Sequence, residues 1–121
     1  MMKIQVLDIN DKKVAEIVSD EPILQSIDDG LDLLGNLYYQ GIEQVVMYEK
    51  DITPAFFDLK TKIAGEILQK FVQYRMPLII VGDFSKYQSK SLDEFILESN
   101  KGRHVSFVNS RSEAMALLGN R

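Results

Sequence analysis

Between residues 53 and 74 the apolar positions recur at helical spacing. Phe56, Ile63, Ile67 and Phe71 fall near one face, Leu59, Ala64, Leu68 and Val72 widen it, and Asp58, Lys62, Glu66, Lys70 and Gln73 fall opposite. Thr53 and Pro54 suit the cap and first position of a helix. Asp58 is a second cap candidate. The segment is therefore expected either as one long helix or as a short helical turn at 53–57 that breaks near Asp58 and restarts. Gly65 lies inside the pattern, where glycine costs roughly 1 kcal/mol relative to alanine. Close packing of the helix on a sheet is the ordinary reason, and backbone access for a ligand or partner the sharper one.

Elsewhere the pattern alternates between strands and helices. Residues 3–9 and 14–18 read as two short strands joined by the turn chemistry of Asn10-Asp11, an antiparallel hairpin. Ser26 with Asp28 and Asp29 opens a helix on Ile27, Leu31, Leu34 and Tyr38, with Leu33 and Leu37 beside them and Gly41 at its end. Residues 44–49 form a third strand. Residues 78–81, Leu-Ile-Ile-Val, are apolar on both sides, as an interior strand is. A capping box at Ser91–Glu94 opens another helix, His104 to Val108 is the last strand, and Ser110 or Ser112 caps a final helix. The order β-β-α-β-α-β-α-β-α predicts an α/β fold: a mixed, mainly parallel five-stranded sheet with helices mostly on one face. The third and fourth strands carry more two-sided apolar surface than one layer of helices covers. Either a helix crosses to the second face or two copies associate.

Composition narrows the function classes. The 121 residues suit one domain, spanning 1–121, that buries its own core. A net charge of −4 with a pI near 4.9 argues against general nucleic-acid binding. With no cysteine and His104 the sole histidine, disulfides, thiolate catalysis and zinc sites built on sulfur are excluded. No metal or cofactor motif is present. No signal peptide and no apolar run of membrane-spanning length is found, so a cytoplasmic location is expected.

Candidate chemistry gathers at two strand-to-helix corners, where function collects in parallel sheets. Asp58, Lys60 and Thr61 follow the third strand; Asp83, Ser85, Lys86, Ser89 and Lys90 follow the fourth. If those strands are neighbours, the eight residues can share one ligand- or partner-binding surface, with Asp58 and Asp83 in reach of Lys60, Lys86 or Lys90. The second corner combines a glycine-led loop, hydroxyls, lysines and a helix start that suit an anion. It lacks the second glycine of a nucleotide-binding loop. Of the tyrosines, most are expected at the core rim and some on a recognition surface.

The element order resembles that of the STAS domain, the fold of bacterial anti-sigma-factor antagonists and sulfate-transporter tails. Those antagonists carry a phosphorylatable serine in an Asp-Ser-Ser-Gly pattern. Here the comparable residues are Asp58-Leu59-Lys60-Thr61, with lysine and threonine in the serine and glycine places, leaving Thr61 as the one hydroxyl there. At residue level FFDLKTKIAGEILQKF (56–71), VGDFSKYQSKSLDEFI (81–96) and ESNKG (98–102) are similar to the bacterial family called domain of unknown function 4180. That resemblance implies no activity. The expectation is a non-enzymatic regulatory or protein-interaction module, with a protein partner or a second copy. Its rivals are a binding module for an apolar or anionic small molecule and a small enzyme using Asp58, Asp83 and a lysine.

Overall fold

The computed structural model describes residues 1–120. Its five strands run in sheet order β1-β2-β3-β4-β5: Met2–Ile9, Lys12–Ser19, Gln44–Tyr48, Leu78–Val81 and Val105–Val108. β1 and β2 are antiparallel from Met2↔Ser19 to Ile9↔Lys12, and every later pairing is parallel. The hairpin turns on Asn10 and Asp11, both with positive φ. Asparagine and aspartate tolerate that region, and two such residues in succession make the turn that matches strand twist.

The helices are α1 (Ile27–Tyr39), α2 (Pro54–Phe57), α3 (Ile63–Gln73), α4 (Lys90–Lys101) and α5 (Arg111–Gly119). Ser26 caps α1 by accepting from the Asp29 N–H. At its other end Ile42 N–H donates to the Leu37 carbonyl across Gly41, whose φ of +79° glycine adopts without a Cβ penalty. The 53–74 segment breaks at Asp58, as the second expectation had it. α2 ends there, a tight turn occupies Leu59–Thr61, and α3 starts after Lys62, itself left-handed at φ 67°. Thr53 makes no side-chain cap; Pro54 occupies the first helical position as expected.

β4 is buried along its whole length, in keeping with its two-sided apolar sequence. On one sheet face Ala15, Ile17, Val45, Met47, Leu78, Ile80, Val105 and Phe107 pack against residues of α1 to α4. On the other, Val14, Val46, Ile79 and Val81 pack against Ala114 and Leu118 of α5. The surplus apolar surface of β3 and β4 is thus met by a helix on the second face.

Several local expectations are corrected. Gly65 is exposed, and a Cβ built on it meets nothing within 4 Å, so close packing does not explain it. The tightly packed helical glycine is Gly30, where a Cβ would stand 2.5 Å from Ile67 Cδ1 and Cγ1. The buried stripe of α1 runs through Gly30, Leu33, Leu34 and Leu37, which turns Tyr38 outward. α4 begins one turn-step early: Ser89, not Ser91, caps it by accepting from the Leu92 N–H. Glu49 and His104 lie outside their strands. Three of the five tyrosines, Tyr38, Tyr39 and Tyr74, are exposed instead of lining the core rim.

Candidate functional site

Register places Tyr48 opposite Val81, so the corner after β3 and the corner after β4 are neighbours. They meet through Glu49. It begins the turn Glu49–Asp51 and is only 5% exposed. A Cβ at Gly82 would run into the Glu49 side chain, so glycine there lets the carboxylate lie across the backbone. Glu49 Oε2 accepts from the Tyr87 hydroxyl at 2.5 Å and pairs with Lys86 Nζ at 2.6 Å. Burial, and then the Glu49 carboxylate, push the Tyr87 hydroxyl well above its ordinary pKa. Phe57 stacks on Tyr87 at 5.0 Å between centroids, which brings α2 against the second corner.

Two more buried carboxylates stand nearby, one within β2 and one in the turn after β3. Glu16, 7% exposed, projects to the α5 side of the sheet. It accepts from the Tyr48 hydroxyl and takes Arg111 in a forked pair, Nε to Oε2 at 2.8 Å and Nη2 to Oε1 at 3.2 Å. The Arg111 bonds, helped by Tyr48, hold Glu16 below its ordinary pKa despite burial. Burial and then Glu16 raise the Tyr48 hydroxyl to about 12. Asp51, 5% exposed, accepts from the Ser19 N–H at 3.2 Å and from Lys50 Nζ at 2.9 Å. A carboxylate held ionised by a guanidinium and a hydroxyl, as Glu16 is, makes a poor proton acceptor and a good structural tie.

Of the eight residues singled out from the sequence, Lys86 is the one that joins this cluster directly. Asp58 is exposed and caps the 59–61 turn by accepting from the Lys60 N–H at 3.2 Å. Thr61 Oγ1 is within 2.8 Å of both the Ala55 and Asp58 carbonyls and accepts from the Ile63 N–H at 3.3 Å. Its hydroxyl therefore braces the break between α2 and α3. Asp83 accepts from the Ser85 N–H at 3.1 Å and hydroxyl at 2.6 Å, and these bonds, with the Lys86 charge, lower its pKa. Ser89 is the α4 cap, and Lys60 and Lys90 are exposed. Among the described residues no ion pair joins Asp58 or Asp83 to a lysine.

Chemistry at the second corner is also constrained. The N–H groups of Ser85, Tyr87 and Gln88 donate to Asp83, Phe84 and Ser85, within the loop itself. The hollow beside them is lined by Asp83 and Asp93 together, which sets its charge against an anion. Among the described residues no group of three or more His, Asp or Glu side chains could hold a metal ion. No described helix is long and apolar enough to cross a membrane. His104 is exposed, and its carbonyl accepts from the Leu78 N–H at 2.7 Å.

Sequence reasoning missed Glu16, Glu49, Asp51, Tyr48 and Arg111. The available signal was an acid inside an apolar strand, Ala15-Glu16-Ile17, which burial makes costly unless a cation answers it. Among known families, the model described as "Domain of unknown function (DUF4180)" matches residues 9–118. No curated protein and no solved structure matches the chain.

Proposed function

The chain belongs to the DUF4180 family, a family defined without an activity, and from that premise we propose that it is a non-enzymatic protein-interaction module of STAS-like type. The observation that carries this reading is the tyrosine surface at the carboxyl ends of α1 and α3. Tyr38 and Tyr74 meet edge to face at 5.3 Å, and both rings remain about half exposed. Tyr39 beside them is 92% exposed, and Val72 on the same turn of α3 is also exposed. Tyrosine offers large contact area at low entropic cost and a polar tip for hydrogen bonding, so such clusters suit protein partners.

The test is affinity for a partner captured by crosslinking in the native cell and then purified. Tyr39→Ala and Tyr74→Ala should each weaken binding by about 30-fold, the effect of losing a hot-spot side chain of about 2 kcal/mol. The melting temperature should hold. Full-strength binding by both variants would overturn the tyrosine surface. Loss of binding in Asp58→Ala and Asp83→Ala instead would move the contact to the corners, where Lys60, Thr61, Ser85, Lys86, Ser89 and Lys90 gather.

A further inference from the structure

The two edges of the sheet are built differently. At the β5 edge the Asn100 amide behaves as a strand would: its Nδ2 donates to the Phe107 carbonyl at 3.1 Å, and its Oδ1 accepts from the Phe107 N–H at 2.7 Å. That edge is four residues long and closed at its centre. β1, the other edge, runs for eight residues without proline, and its unbroken register with β2 leaves no bulge. Of the usual means of blunting an edge, β1 has charged side chains at Lys3 and Asp8, but no proline, no bulge and no shortening.

The hairpin fixes which groups face outward. Ile9 and Lys12 flank a two-residue turn and so form the close hydrogen-bonded pair next to it. Alternation then directs the N–H and C=O of Leu7, Gln5 and Lys3 toward β2, and those of Met2, Ile4, Val6 and Asp8 away from it. The Lys13 carbonyl, opposite Asp8, agrees: it turns from β1 to accept from the Glu43 N–H at 2.8 Å. The apolar side chains at this margin are also uncovered, with Val6 50% exposed and Met2 and Val18 about 40%.

We propose that the open edge of β1 pairs antiparallel with β1 of a second copy, about a two-fold axis beside Gln5, to make one continuous sheet. The occupant follows from self-complementarity. A two-fold axis normal to the sheet keeps each face continuous, so opposed residues share a face. Centred on Gln5, the pairing sets Ile4 against Val6 of the second copy twice, on the face where Val6 is bare. Centred on Val6, it sets Ile4 against Asp8 instead. The antiparallel arrangement also brings the lysine end of one strand to the acidic end of the other, with Lys3 opposite Leu7 and Asp8 opposite Met2, whereas a parallel one would align like charges. A single strand pair of this kind buries less than the roughly 1,200 Å² of stable complexes, so the dimer is reversible and concentration-dependent. This inference is independent of the tyrosine surface.

The test is sedimentation of the full chain over a concentration series, with two variants. The wild type should move from 13.8 kDa toward twice that mass as concentration rises. Val6→Pro removes only an outward N–H. It should remain at the lower mass with unchanged far-UV circular dichroism and melting. Because the chain has no cysteine, Gln5→Cys gives a single thiol that should oxidise to a disulfide-linked dimer, and Asp8→Cys should not. A wild type that stays monomeric, or a dimer that survives Val6→Pro, overturns the proposal. So does crosslinking of Asp8→Cys as readily as Gln5→Cys, and the cysteine pair decides the matter even if Val6→Pro fails to fold. A monomer that takes up an extended peptide along β1 would equally remove the second copy as the occupant.

Discussion

Two glycines inside helices should respond to the same substitution with opposite signs. At Gly65 a Cβ meets nothing within 4 Å and the position is exposed, so alanine removes only backbone freedom from the unfolded chain. The gain is up to about 1 kcal/mol, and nearer 0.5 because the residue lies in the first turn of α3. At Gly30 the added carbon would stand 2.5 Å from two carbons of Ile67, about 1–1.5 Å inside the roughly 3.5–4.0 Å of normal contact. α1 and α3 must part, or Ile67 must leave its rotamer, at about 1–3 kcal/mol. Set against the propensity gain, the net is a loss of about 0–2 kcal/mol. For a chain of this size 1 kcal/mol moves the melting midpoint by about 3–6 °C. Thermal and urea unfolding should therefore show Gly65→Ala above the wild type and Gly30→Ala below it. The cycle with Ile67→Ala sharpens the test. Ile67→Ala alone opens a cavity at about 2–5 kcal/mol, but adding Gly30→Ala should then be neutral or stabilising, since the new methyl enters that space. A stabilising Gly30→Ala in the wild-type background would refute the packing of α1 on α3, and additivity across the cycle would refute the identity of the clash.

Acid and alkali should both weaken the tie between β2, β3 and α5. Glu16 has a folded pKa below its ordinary 4.5, so its contribution is present above that value and is lost as pH falls through the lower folded one. Tyr48 has a folded pKa raised from 10 to about 12, so its contribution is present below pH 10 and disappears between 10 and 12. Urea midpoints measured against pH should flatten at the acid end in Glu16→Gln and at the alkaline end in Tyr48→Phe; slopes unchanged from the wild type would contradict the assignment. Asp58→Ala should cost about 0.5–1 kcal/mol through loss of the cap on Lys60, with Asp58→Asn restoring most of it, as melting curves will show. A large loss that asparagine does not rescue would mean that Asp58 does something other than cap.

Strand and helix positions were legible where one segment's own sequence decides them. Leu78–Val81 reads as an interior strand because no polar residue interrupts it, and Asn10-Asp11 reads as a turn because both tolerate positive φ. Boundaries that depend on competition between equivalent residues were not. Ser89 and Ser91 both offer a hydroxyl before Leu92, and the chain uses the first. Which glycine meets a neighbour is a property of how α1 crosses α3, and nothing local distinguishes Gly30 from Gly65. The carboxylates were hidden for the same reason. Glu16 is answered by Arg111, 95 positions away, and Glu49 by Tyr87, 38 away. Asp58, Asp83 and Thr61 attracted attention because their corners are the customary place for function. Their polar groups are instead engaged within their own turns.

The carboxyl ends of the strands, where α/β proteins usually place ligands, are here stitched together. Asp51 after β3 holds the last backbone N–H of β2, at Ser19; Glu16 of β2 holds Tyr48 of β3 and Arg111 of α5; Glu49 holds Lys86 and Tyr87 after β4. Each tie joins elements that share no hydrogen-bonded turn, and each puts a carboxylate where water is scarce. Removing one partner would strand a buried charge, so these groups resist being lent to a substrate. The surfaces left uncommitted lie elsewhere. Tyr38, Tyr39 and Tyr74 stand where α1 and α3 end, near the amino ends of β3 and β4, and β1 presents its free backbone at the sheet margin. Interior ties occupying the usual catalytic rim, with aromatic and hydrogen-bonding capacity facing outward at other points, are the distribution that the proposed interaction module calls for.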